Sequence, residues 1–407
     1  MSKISNLISD YERRYHNSFN LVASENCSSP AVRAALSSDL HHRYAIPPEN
    51  ERPPGLWDYP HQDEIRNIIK ETEALACRLF QGKQANLFPL SGNQIAQIMI
   101  MNLLQPGETF LSVGASCGGH FTTAKVAERH GVRRIDLPYD FDTGSLNVEL
   151  TAELAAKEKP KMVFLDASMI LFPYPVKELR SALDKDVIIS YDASHTFGLI
   201  GGGRFQSPLS EGADFLHGST HKSLWGPQKG MIIAGTSPET TDKAFKDILP
   251  FFVSNVHMHH IAALGIALEE VEKHGAAYAS VVVDNARALA AEMHRLGADV
   301  LFADQGFTDC HQIIVRIGEK QKAMQVFESL QKAGLNTNAM KMPFSKESEC
   351  YGLRIGAAEV TRRGLKGEAM LLLARLIADT IHKKQPIERI ASAVSNLSQQ
   401  YMDIQYV

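Results

Sequence analysis

The chain has 407 residues, 44% of them apolar, and a formal net charge of −4. At roughly 100–200 residues per domain this is material for two domains, and the slightly acidic balance excludes the basic surface expected of a nucleic-acid binder. No run approaches the ~18 consecutive apolar residues of a membrane span, so the expected partners are small metabolites, with neither nucleic acid nor membrane among them.

The chain opens on MSKISNLISDYERRYHNS, polar and charged, without the apolar stretch of a signal peptide. Its five cysteines (Cys27, Cys77, Cys117, Cys310 and Cys350) are scattered, odd in number and free of any paired or metal-binding spacing. The expectation is reduced thiols in a cytoplasmic protein, and no metal. A Pro-rich segment at 46–60, IPPENERPPGLWDYP, is too polar and interrupted for core and reads as a long loop. Up to about residue 250, helical stretches such as 148–157 alternate with short apolar runs: TFLSVG (109–114), KMVFLDAS (161–168), DVIISYDAS (186–194), DFLHGST (214–220) and GMIIAG (230–235). The alternation predicts strands of a mainly parallel sheet covered by helices. Ligands of such sheets sit beyond the carboxyl ends of the strands, where this sequence carries Ser168, Asp192, His195 and the 219–222 cluster. Residues 261–296 then show one long helical pattern, with Gly275 expected to break or bend it. Beyond lies a second unit with strands near 312–317 and 352–355 and helices around 320–333 and 365–383.

Four places carry residues suited to chemistry. Ser219, Thr220, His221 and Lys222 directly follow a strand, and a lysine amine fixed there suits imine formation with pyridoxal 5'-phosphate (PLP). Met alone, such a lysine would be read as a surface residue. Asp192 ends an apolar run; a carboxylate there could keep a pyridine nitrogen protonated, or could merely cap a turn. Ser91, Gly92, Asn93 and Gln94 precede the helical run IAQIMIMNLL, where small residues bring backbone N–H groups onto a phosphate or form an ordinary cap. Gly118, Gly119 and His120 place an imidazole on a turn, able to stack on a flat cofactor. None of these is specific singly; their order is.

With these blocks in order, the chain resembles the serine hydroxymethyltransferase superfamily of fold-type I PLP enzymes, from Asn20 to about Leu397. The resemblance rests on NLVASEN (20–26), SGNQ (91–94), CGGHFT (117–122), KPKMVF (159–164), YDASHTFGLIGGG (191–203), STHKSLWGPQKG (219–230) and GLRIGAAEVTRRG (352–364). It implies an α/β fold of type I. A large domain with a mainly parallel sheet of the seven-stranded type stands beside a smaller α+β C-terminal domain. The implied divisions are an arm at 1–40, the PLP-binding domain at 41–270 and the small domain at 271–407. The resemblance further implies PLP held as a Schiff base on Lys222, with Asp192 at the pyridine nitrogen and His120 stacked over the ring. His195, helped by Ser168, would lie near the phenolic oxygen. Ser91, Gly92, Asn93, Ser219 and His221 would surround the phosphate, joined by Asn255 across a homodimer interface. Arg354 would clamp the substrate carboxylate, a planar task suited to guanidinium. Ser24 and Tyr44 would face the substrate, Tyr44 from the neighbouring subunit.

Three departures narrow the expectation. Family hydroxymethyltransferases carry a glutamate two residues after the tyrosine matched by Tyr44 and use it for proton handling in folate-linked chemistry; here the position is Ile46. Their Gly-rich loop is replaced by FFVSNVH (251–257), and the arginine of their GPRGG run by Gln228. These features resemble the L-threonine transaldolase branch, with which the chain shares GPQKG, the lead-in at 217–222, the Ser-Asn-x-His run at 254–257 and the GFTxxHQ run at 306–312. Relatives in that branch split threonine to acetaldehyde and a glycyl quinonoid that adds to another aldehyde, typically in natural-product pathways. The expected reaction therefore exchanges aldehydes at the Cα–Cβ bond of a β-hydroxy-α-amino acid. Folate-dependent serine hydroxymethyl transfer, a PLP-dependent oxidase and a catalytically silent relative stand as alternatives.

Overall fold

The computed structural model describes residues 2–45, 59–347 and 349–407; Ile46 and most of the Pro-rich segment lie outside them. The apolar runs become strands because both their faces find cover. β1 (Gln84–Asn86), β2 (Thr109–Ser112), β3 (Arg133–Asp136), β4 (Met162–Leu165), β5 (Ile188–Asp192), β6 (Phe215–Ser219) and β7 (Gly230–Ala234) form a seven-stranded sheet in the order β1-β7-β6-β5-β4-β2-β3. The five strands from β6 to β3 pair in parallel, whereas β7 runs antiparallel to both its neighbours. Every residue of β2, β4, β6 and β7 is buried, the mark of a sheet enclosed between helix layers.

A second sheet follows, antiparallel throughout: β8 (Asp299–Val300), β9 (Gln312–Gly318), β10 (Asn338–Lys341) and β11 (Tyr351–Gly356), in the order β8-β9-β11-β10. Each sheet has its own apolar cluster, and the helix Met258–Arg295 passes from the first to the second between Val283 and Ala286. We propose the division into an arm (1–40), a large unit (41–270) and a small unit (271–407), with this helix running through the boundary. The arm contributes to the second cluster: Phe19–Asn20 pairs in parallel with Leu335–Asn336, and Phe19 and Leu21 are fully buried there.

One sequence expectation is corrected. The helix Met258–Arg295 runs unbroken through Gly275. Glycine there serves close packing, since a Cβ on Gly275 would stand 3.0 Å from Val271 Cγ1 and 3.4 Å from Gly202 Cα. The helix expected over 365–383 spans Glu368–Ile381, because Gly364 and Gly367 first take φ of +91° and +57°.

The parallel strands deliver their carboxyl ends to one edge of the sheet. Val113 follows β2, Asp166 to Ser168 follow β4, Asp192 ends β5, and Thr220 to Lys222 follow β6. Among the described residues, no helix is long and apolar enough to cross a membrane.

Candidate active site

That edge closes a small cavity, into which Gly92, Asn93, His120, Ser168, Asp192, His195, Ser219 and Lys222 converge. Residues separated by up to 130 positions meet because parallel strands all end at the same edge. Thr123, Asp166 and Ser194 line it as well, and the sequence reading missed all three. Asp166 stands after an apolar strand run, the same signal that singled out Asp192.

One wall is built as a cradle for an anion. Ser91 caps the helix Gly92–Leu103, its hydroxyl accepting from Gln94 N at 3.2 Å. A Cβ on Gly92 would lie 2.4 Å from Ser219 Oγ and 3.1 Å from Ser194 Oγ, so only glycine lets the helix start close on both hydroxyls. Ser219 N in turn donates to Ser194 Oγ at 2.8 Å, and Ser194 N to Asp192 Oδ1 at 2.7 Å. A helix N-terminus ringed by hydroxyls suits a phosphate.

The ionisable groups around this cradle are tuned by burial. Lys222 has its pKa lowered to about 8: desolvation disfavours the ammonium, Asp192 opposes that and Arg354 adds to it. His195 lies well below the ordinary imidazole value through complete burial, reinforced by Lys222 and Arg354. Its ring stacks on His311 at 5.6 Å, and its Nδ1 is buried without a partner. His221 falls to about 4 through burial and the adjacent Lys222, and its Nδ1 too is unpartnered. His120 is lowered by burial, partly offset by Asp192. Its tautomer is fixed by geometry. Thr122 Oγ1 donates its single proton to Asn93 Oδ1 at 2.8 Å and lies 2.7 Å from His120 Nδ1. Nδ1 must therefore carry the hydrogen, which leaves Nε2 free to accept a proton.

Arg354, on β11, stands outside the cavity lining and is joined to it through Ser168. Its Nη1 donates to the Ser168 carbonyl and its Nη2 to Asn338 Oδ1, each at 3.1 Å, while Nε is buried without a partner. Among the described residues it has no carboxylate partner, and burial lowers its pKa. A guanidinium held from behind with an unused N–H is suited to an incoming carboxylate. The remaining expected residues stand outside the cavity lining. Ser24 is half-buried in the arm; Asn255 has a buried, unpartnered Oδ1; Tyr44 is 47% exposed and stacks on Tyr59 at 5.6 Å.

A buried amine near pH 8, a carboxylate, a stacking imidazole, a phosphate cradle and orphaned donors together fit PLP. That fit rests on the unpartnered nitrogens and on the space only Gly92 leaves, not on any bound molecule. Along the chain, residues 2–377 match the serine hydroxymethyltransferase family. Serine hydroxymethyltransferase of Archaeoglobus fulgidus is 36% identical over 411 residues, covering 100% of this chain and 92% of the relative. The Thermoplasma volcanium enzyme of the same name is 35% identical over 99% of this chain and 95% of the relative. Among solved structures, L-threonine transaldolase from Pseudomonas fluorescens in its internal aldimine state superposes with a TM-score of 0.94 at 31% identity, covering 99% of this chain and 92% of that one. A lysine and an aspartate meeting at a phosphate cradle, in a chain matched almost end to end, are what the comparisons lead one to expect: the protein belongs to the serine hydroxymethyltransferase family and is a PLP-dependent transferase.

Proposed function

We propose that the enzyme cleaves and re-forms the Cα–Cβ bond of a β-hydroxy-α-amino acid, releasing one aldehyde and joining the glycyl fragment to another, as an L-threonine transaldolase does. The observation that carries this reading is Ile46: two residues after Tyr44, where folate-linked transfer needs an acid, the side chain can neither give nor take a proton. The likeness to the P. fluorescens transaldolase supports the same choice.

When bound, PLP supplies an electron sink for the bond that breaks at the α-carbon. Lys222 is the amine to which its aldehyde attaches, and with a pKa near 8 a substantial neutral fraction exists close to neutrality. Asp192 would keep the pyridine nitrogen protonated. The hydroxyls of Ser219 and Ser194 and the start of the Gly92 helix would hold the phosphate, together with Ser91, Asn93 and His221. His120 would hold the ring and offer Nε2 to the proton of the β-hydroxyl. His195 and Ser168 would hold the phenolic oxygen. Arg354 and Ser24 hold the amino acid's carboxylate end. We further place the enzyme in the cytoplasm as a homodimer, in which the exposed Tyr44 and the unpartnered Oδ1 of Asn255 complete the partner's site. Fold-type I sites form between subunits, and twofold assemblies are the commonest kind.

A second reading, folate-dependent serine hydroxymethyl transfer, is favoured by the names of the 35–36% identical relatives. The test is to incubate the holoenzyme with threonine and a panel of aldehydes, and separately with serine and tetrahydrofolate. New β-hydroxy-α-amino acids with acetaldehyde release support the transaldolase. One-carbon transfer from serine to folate, leaving glycine, with no new β-hydroxy-α-amino acid from threonine and any aldehyde, overturns it.

A further inference from the structure

The cavity holds a second carboxyl group that the mechanism above does not use. Asp166 is 1% exposed and lines the same cavity as Asp192. The two are neighbours by register. Leu165 of β4 pairs with Tyr191 of β5, so the next residues, Asp166 and Asp192, stand side by side at the ends of adjacent parallel strands. Asp166 is tied at two points to the turn that presents His120 and at a third to the end of β2. Its carbonyl accepts from His120 N at 2.8 Å, its Oδ2 is hydrogen-bonded by the Thr123 hydroxyl, and its Oδ1 accepts from Val113 N at 3.2 Å. Gly119 completes the fit, for a Cβ there would stand 2.0 Å from the Val113 carbonyl oxygen.

We propose that Asp166 is a positioning residue of the active site: with Thr123 it clamps the 118–123 turn beneath His120, acting as a hydrogen-bonding carboxyl and not as a second countercharge. This rests on the reading of the cavity as the reaction site. Two carboxyl groups on neighbouring strand ends in a dry pocket do not both ionise cheaply. Asp192 faces Lys222 and accepts from Ser194 N. Asp166 is fully enclosed, and among the described residues no cation pairs with it; Arg134 pairs with Asp136 instead. Burial first, then the charge of Asp192, raises its pKa well above the carboxylate range, against the opposing pull of Thr123, Arg134 and Val113 N. The shift favours the protonated side chain. It holds the turn without placing another negative charge beside the phosphate and the electron sink.

The test compares Asp166→Asn, Asp166→Ala and Thr123→Val in the PLP-loaded protein. Infrared difference spectra of wild type against Asp166→Asn at pH 7.5 should show the carbonyl band of a protonated buried carboxyl, and Thr123→Val should shift that band. Amide hydrogen exchange over 118–123 should accelerate at least about tenfold in Asp166→Ala and in Thr123→Val, the scale of one lost buried hydrogen bond. In Asp166→Asn it should stay within about threefold of wild type, because an amide can replace a neutral acid. Absence of the band, or Asp166→Asn behaving like Asp166→Ala, overturns the proposal. Should Asp166→Ala not fold, Thr123→Val and the infrared band decide alone. Neither readout depends on which amino acid or aldehyde is used, so failure of the transaldolase reading leaves this test intact.

Discussion

Thr122 Oγ1 lies 2.7 Å from His120 Nδ1 and spends its own proton on Asn93, which forces the imidazole into the Nδ1–H tautomer. If His120 Nε2 takes the proton of the β-hydroxyl, the hydroxyl of Thr122 matters as an orienting acceptor. Thr122→Val should lower kcat about 10- to 100-fold with KM little changed, and Thr122→Ser should restore it. Equal activity of the valine variant would remove His120 from proton handling.

Two lysines are buried near one another in sequence, Lys222 with its pKa near 8 and Lys229 near 7. Only Lys222 lines the cavity; Lys229 Nζ donates to the Val256 carbonyl at 2.8 Å. Borohydride reduction of the holoenzyme followed by peptide mapping should place PLP on Lys222 alone. Lys222→Ala should retain less than about a thousandth of the activity. The rate of PLP uptake by the apoenzyme should rise with pH and level off above about 8, because attachment needs the neutral amine. An inflection near 10.5 would mean an exposed lysine.

Arg354 presents a buried Nε–H while its Nη atoms are held by Ser168 and Asn338. Lysine cannot keep both anchors and still meet a carboxylate in a plane. Arg354→Lys should raise KM for the amino acid about 10- to 100-fold, the worth of one charge-assisted hydrogen bond. Binding of PLP, followed by absorbance, should be unaffected.

On the proposed transaldolase reading, the apolar side chain of Ile46 supplies no acid, which favours capture of the glycyl fragment by a second aldehyde over its protonation. Ile46→Glu should therefore raise simple threonine cleavage to glycine relative to transfer. The ratio of glycine to new β-hydroxy amino acid reads this directly, and an unchanged ratio counts against it.

Acid should destabilise the fold through buried neutral histidines. His217 and His311 are driven to about 4 by burial. Because the unfolded chain binds protons near 6.5, their contribution is complete above that value and is lost as pH falls toward 4, up to about 3 kcal/mol each. Glu359 runs the other way: its pKa is raised to about 7 by burial, so its contribution fades as pH rises from 4.5. Residue-resolved histidine C2 hydrogen exchange should place His217 and His311 near 4. Values near 6.5 would refute this.

The sequence by itself marked five of the seven strands of the large sheet, β2 and β4 to β7, by their apolar runs, whereas β1 (QAN) and β3 (RRID) carry no such run. Because the strands leading to it run parallel, it also pointed to the sheet edge where Lys222, Asp192, His120 and the Gly92 helix start line one cavity. Position along a strand is a local property, and burial follows from composition. Tertiary structure decided which groups touch. That Asp166 stands beside Asp192, that Ser194 bridges Ser219 to Asp192, and that Arg354 reaches Ser168 across 186 positions depend on register and on the crossing of two sheets. Gly275 shows the same limit: composition marked it as a break, while the close approach of Gly202 made it a contact. Hydrogen bonds and desolvation act over a few ångströms, and no periodicity in the chain records which distant residue comes within that range.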